Sequence, residues 1–120
     1  MSQAWQYLRM NADMQVELDS PRVELAVEVF SMLADATRVR LILALGEGEM
    51  PVNALAERVA KPAAAVSQHL AKMRLGGMVA TRQEGTKVFY RLQNDHARQL
   101  VIDAVHQADH ALGTAPGHDA

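Results

Sequence analysis

A single change of hydrophobic period restricts the fold more than any other feature of this chain. Apolar residues recur at helical spacing up to Leu75. Gly76-Gly77 then stops the helical pattern, and two short runs rich in β-formers follow, Met78–Arg82 and Lys87–Leu92, around the turn Gln83-Glu84-Gly85-Thr86. Helical spacing returns after Asn94 or Asp95 and lasts to about Leu112. Within the first part, breakers separate four helices. Asp19-Ser20-Pro21 opens one that runs to about Ala34, because Asp19 or Ser20 can accept free N–H groups and Pro21 tolerates the first turn. Asp35 caps a second, Thr37–Leu45, ended by Gly46-Glu47-Gly48. Asn53 opens a third, Ala54–Val59, and after the break Ala60-Lys61-Pro62 a fourth runs Ala63–Leu75. The expected fold class is mainly α with a small β-hairpin, in the order α-α-α-α-β-β-α.

The chain has 120 residues, enough for one domain, and 49% hydrophobic residues supply its core. Only 4% are aromatic, so Leu, Val, Ile, Met and Ala must fill it. The expected organisation is an N-terminal arm over 1–19, one domain over 20–112 and a mobile tail over 113–120. The first helix places Val23, Ala26, Val27, Phe30 and Leu33 over an arc wider than one core face needs, which points to burial on two sides, as in a dimer. There is no apolar run of about 18 residues to span a membrane, and MSQAWQYLRMNADMQ has no signal-peptide pattern. Cysteine is absent, which excludes disulfides and thiolate metal sites. A cytoplasmic protein is expected. With no nucleophile–base pair and no phosphate loop, an enzyme is not.

The formal charge of −2 is unevenly spread. Between positions 58 and 91 stand Arg58, Lys61, Lys72, Arg74, Arg82, Lys87 and Arg91 against Glu84 alone, which leaves the rest of the chain at −8. One basic segment on an acidic body is an electrostatic footprint for a polyanion. The segment also holds two short helices around a three-residue break, the pattern of a helix-turn-helix, followed by the hairpin as a wing. On the fourth helix Val66, Leu70 and Met73 form the core stripe, and Ala64, Ala65, Ser67, Gln68 and Lys72 lie opposite. Small residues permit close approach to double-stranded DNA, Ser67 and Gln68 can read base edges, and Lys61, Lys72 and Arg74 can neutralise phosphate. Arg82 and Lys87 would follow the backbone or minor groove. His69 is expected to pack or cap more than to read a base.

Four of the five histidines, His96, His106, His110 and His118, lie near the C-terminus with Asp95, Asp103, Asp109 and Asp119. Imidazole with carboxylate suits nickel, cobalt or zinc. At a helical rise of about 1.5 Å per residue, His96 and His110 lie roughly 21 Å apart and cannot share an ion within one chain. Two antiparallel copies would set His96 of one beside His110 of the other. His96, Asp103, Gln107 and His110 fall within about 60° of each other, one polar stripe beside the apolar Leu100, Val101, Ala104 and Ala108.

Three segments carry a family resemblance. Leu33–Leu43, LADATRVRLIL, resembles the LADxTRxxIL signature of the ArsR/SmtB family of metal-responsive repressors. Val66–Arg74, VSQHLAKMR, is similar to its recognition helix, VSxHLxxLR, and Arg82–Leu92 resembles its wing, RxGxxxxYxL. Membership implies a winged helix-turn-helix homodimer joined through its first and last helices, bound to a palindromic operator and released by an inducer. It also implies that Ser67, Gln68 and Lys72 reach the major groove while Arg82 and Lys87 hold the backbone. The last helix departs from the family pattern D-x-H…H-x-x-(H/E) by Asn94 and Gln107. It looks more like the nickel/cobalt-sensing branch, whose H…(D/E)-H and tail histidine are matched by His96, Asp109, His110 and His118. Asp109 fits least well, since it projects away from the His96 stripe; His106 and Asp103 are the alternative ligands. The resemblance thus implies Ni2+ or Co2+, with Zn2+ as a further candidate. The departures leave a second reading: a DNA-binding dimer of this fold controlled by a partner protein or a non-metal ligand.

Overall fold

A computed structural model describes residues 15–113. The N-terminal arm up to residue 14 and the tail from residue 114, with His118, lie outside the described residues. Internal contacts divide the chain into two units, Met1–Ser31 and Met32–Ala120. The first holds most of helix α1, Pro21–Leu33. Ser20 Oγ accepts the Arg22 N–H at 3.1 Å, so the expected Ser–Pro start is the one used. No residue of α1 is buried, and Leu25, Val27 and Phe30 are more than half exposed. Of the expected apolar arc, Ala26, Val27 and Phe30 are exposed, while Val23 and Leu33 are half-buried.

The second unit continues with α2 (Ala36–Leu45), β1 (Met50–Pro51), α3 (Val52–Val59), α4 (Ala63–Leu75), β2 (Val79–Glu84), β3 (Lys87–Leu92) and α5 (His96–Leu112). Asp35 caps α2 as expected, accepting the Arg38 N–H at 3.0 Å. The core is aliphatic. Leu41 and Ile42 of α2, Leu55 of α3 and Val66, Leu70 and Met73 of α4 are fully buried, closed by Val79 of β2 and by Ala97 and Val101 of α5.

Two boundaries differ from the expectation. The third helix begins at Val52, so Asn53 lies inside its first turn and caps nothing; Pro51 stands at the cap position. Pro51 also belongs to β1, which pairs antiparallel with β3 (Met50 with Tyr90, Pro51 with Phe89) and makes the hairpin a three-stranded sheet of order β1-β3-β2. Two residues, one of them proline, carry no readable period, so the strand exists only through its partner. The hairpin is also tighter than expected: Glu84 pairs with Lys87, leaving a two-residue turn of Gly85 and Thr86. Gly85 has φ +63°, a conformation its lack of Cβ makes inexpensive.

The break between α3 and α4 places Ala60 in the left-handed region, with φ 56° and ψ 48°. Its N–H donates to the Glu57 carbonyl, and the Lys61 N–H donates to that of Ala56. An alanine thus performs the helix-ending role that usually falls to glycine. At the other end of α4, Gly77 takes φ +77°, and the Met78 N–H reaches back to the Met73 carbonyl at 2.9 Å. That closure aims the chain into β2.

Candidate nucleic-acid interface

The buried stripe of α4 turns its opposite side outward. Ala64, Ser67, Gln68 and Lys72 are exposed, and Ala65 is half-buried. Lys61 stands exposed in the turn before the helix and Arg74 in its last turn. One helix therefore presents small residues, two hydrogen-bonding side chains and flanking cations on one surface, the arrangement that base-edge and phosphate contact require. Lys87 is exposed on the hairpin; with Thr86 and Asn53 it lines an open groove of about 450 Å³.

His69 is half-buried. Its Nδ1 accepts the Arg38 Nε–H at 3.1 Å, which puts the ring proton on Nε2. The Arg38 Nη1 also donates to the Met32 carbonyl at 3.1 Å. One guanidinium thus ties the α1–α2 junction to the recognition helix. Asp35 at the same junction has its carboxyl held below the usual range, first by the Arg38 backbone N–H and further by the Arg38 guanidinium charge.

The electrostatics of the basic segment differ from what its composition implies. Glu47 and Glu49 lie outside positions 58–91 in sequence but fold against them. Glu47 pairs with Arg58 of α3. Glu49 Oε1 accepts from Arg82 Nε at 2.7 Å and from Nη2 at 2.5 Å, and Glu84 Oε1 accepts from Nη1 at 3.2 Å. The Arg82 guanidinium carbon also lies 4.6 Å from the centre of the Phe89 ring. The hydrogen bond between Arg82 and Glu49 holds the carboxyl below and the guanidinium above their ordinary values. Among the described residues Lys61, Lys72, Arg74 and Lys87 form no ion pair. Arg38, Glu47 and Glu49 are the residues that reading the sequence missed. Arg38 stands within the family-like signature, but only the fold shows what it touches.

On α5 the metal-donor candidates spread along one helix. His96, Asp103, His106 and His110 are exposed and Asp109 is half-buried. No three such donors converge among the described residues of one chain, as the axial distance requires. Asn94 Oδ1 accepts the His96 backbone N–H at 2.9 Å, one residue before the cap position of α5, which Asp95 holds without a side-chain cap bond. Asp103 accepts from Gln99 Nε2 at 3.1 Å. Ala97 and Val101 bury toward the chain's own core, while Ala104, Val105, Ala108 and Leu112 stay exposed. The donor set suits a borderline divalent ion. No described helix is long and apolar enough to cross a membrane.

A helix-turn-helix domain family matches residues 33–82. The chain is 58% identical over 101 residues to the transcriptional regulator KmtR of Mycobacterium tuberculosis, covering 84% of this chain and 78% of that one. It is 34% identical over 86 residues to the transcriptional repressor SmtB of the same organism, covering 72% and 64%. Among solved structures it resembles the homodimeric winged helix-turn-helix DNA-binding domain of a possible ArsR-family regulator from Mycobacterium bovis, with a TM-score of 0.66, 26% identity, and coverage of 79% of this chain and 88% of that one.

Proposed function

Because the chain belongs to the ArsR/SmtB family of winged helix-turn-helix transcriptional regulators, which bind DNA and are not enzymes, we propose that it is a nickel- or cobalt-responsive repressor. In this reading a homodimer holds a palindromic operator and leaves it when the metal binds. Ser67 and Gln68 read bases, with Ala64 allowing close approach. Lys61, Lys72 and Arg74 meet phosphates, while Arg82 and Lys87 follow the backbone. The homodimeric relative and the uncovered apolar faces of α1 and α5 support the dimer.

The observation that carries the metal reading is the set of exposed donors on α5, which reach no common point within one chain. His96 from one copy, and Asp109, His110 and His118 from the other, are the proposed ligands, with His106 and Asp103 as substitutes. A bound ion would supply a coordinate crosslink between the two last helices. Its coupling to DNA is reciprocal, of the order of 1–3 kcal/mol, or about 5–150-fold in affinity.

The test is a titration of operator binding with Ni2+, Co2+ and Zn2+ in parallel, beside calorimetry on wild type, His96→Ala and His110→Ala. Release by Ni2+ or Co2+, lost in both variants, is expected. Metal affinity that is the same with and without operator refutes the coupling. Asn94 favours a second reading, because it stands where the family pattern has a carboxylate ligand and its Oδ1 accepts the His96 backbone N–H. If no metal binds at micromolar concentration or better, control passes to a partner protein or a non-metal ligand.

A further inference from the structure

The segment Gly46-Glu47-Gly48-Glu49, between α2 and β1, places two carboxylates on two of the seven basic residues of the DNA-binding segment. Glu47 reaches Arg58 in the first helix of the helix-turn-helix. Glu49 reaches Arg82 on the wing, where Glu84 takes the remaining nitrogen, Nη1. The two pairs span 11 and 33 residues of chain, so neither follows from local geometry. All of these side chains are substantially exposed. Arg58 and Glu47 stand at 50% and 58% side-chain exposure, Arg82 and Glu49 at 45% and 30%. Pairs this open contribute little to stability and exchange readily. A carboxylate oxygen at hydrogen-bond distance from a guanidinium occupies the place a phosphate oxygen would take.

We propose that Glu47 and Glu49 are internal stand-ins for DNA phosphate, which mask Arg58 and Arg82 and so set how far binding depends on sequence. The proposal rests on the reading that this face meets the DNA backbone. Attraction to phosphate carries no sequence information and governs binding to random DNA. With two cations masked, Lys61, Lys72, Arg74, Lys87 and Arg91 retain the general attraction, and base contacts from Ser67 and Gln68 make up a larger share of the total. DNA that displaces a carboxylate gains one phosphate contact and releases one acidic side chain to water. The masked arginines therefore weaken random binding without being lost to a site whose other contacts hold the duplex in place.

Salt dependence tests this directly. The probe is a random-sequence duplex of about 30 base pairs, followed by fluorescence anisotropy from 50 to 200 mM salt. The proteins are wild type, Glu47→Gln, Glu49→Gln, the double variant, and each again with Arg58→Gln or Arg82→Gln. Thermal melts confirm that each is folded. Arg58, freed in Glu47→Gln, is expected to tighten binding and to steepen the logarithmic salt slope by about 0.9, so that the gain is about threefold to fourfold larger at 50 than at 200 mM. Glu49→Gln leaves Arg82 its bond to Glu84 and is expected to steepen the slope by less. The Glu49→Gln gain must vanish with Arg82→Gln, and the Glu47→Gln gain with Arg58→Gln. Unchanged slopes in the double variant overturn the proposal. So does a gain that survives removal of the paired arginine, since that is an effect of net charge. If Arg82→Gln in wild type costs as much as Lys87→Gln, the masking fails while the backbone reading stands. If wild type shows no salt-dependent binding at all, the DNA reading of this face falls with it.

Discussion

Arg38→Ala tests the junction that holds the recognition helix. The substitution removes two side-chain hydrogen bonds of 3.1 Å, to the Met32 carbonyl and to His69 Nδ1, both partly buried. Each bond has a charged donor, which places its loss at about 1.5–3 kcal/mol, and partial access to water lowers that to about 1. The Met32 carbonyl is among the last four of α1, which have no partner within the helix, so it must turn to water. The expected loss is about 2–3 kcal/mol. Arg38→Lys keeps the charge but lacks the fork, holds at most one of the two acceptors, and should lose about half as much. Urea denaturation at fixed protein concentration measures this, because a dimer's apparent stability moves with concentration. His69→Leu completes a double-mutant cycle, for which a coupling of about 1 kcal/mol is expected. If Arg38→Ala costs under about 0.5 kcal/mol, the ordinary range for an exposed site, the junction is not held in this way. A coupling near zero refutes the bond to His69 alone.

Other outcomes follow from single positions. Ala60→Gly should raise stability by about 0.5–1 kcal/mol in thermal or urea melts, because it relieves a left-handed alanine at φ 56°. Leu70→Ala removes a fully buried side chain of the recognition helix and should cost about 2–5 kcal/mol with DNA affinity falling in step. Asp35 has a lowered folded-state value, so its contribution is complete above the ordinary carboxylate value near ~4 and fades as pH falls through the lower folded one. Asp35→Asn keeps a capping oxygen and should show a flatter loss of stability below pH ~4 than wild type, while staying within about 1 kcal/mol at neutral pH.

Much of this protein was legible as a string because its signals act over one helical turn or one strand. Val66, Leu70 and Met73 repeat at four and three, and all three are fully buried. Ser20 and Asp35 cap through bonds two and three residues long, respectively. Gly76-Gly77 and the β-forming runs set helix end and hairpin by backbone sterics alone. The position of the donors on α5 also came from helical rise, which is why no single copy gathers them.

Contacts between distant residues were decided elsewhere. Met50 and Pro51 become a strand only beside Tyr90 and Phe89. That His69 packs was expected from the sequence, but its partner is Arg38, 31 residues earlier, which only folding brings to it. Composition counted Arg58 and Arg82 as unopposed, and folding lays Glu47 and Glu49 on them. Period and capping are properties of the local backbone, whereas the charge that a surface presents depends on which segments the core brings together. The sequence by itself therefore determined the order of the helices and the hairpin and the recognition helix's buried face. Only the tertiary structure decided how much of the basic segment is left to meet DNA.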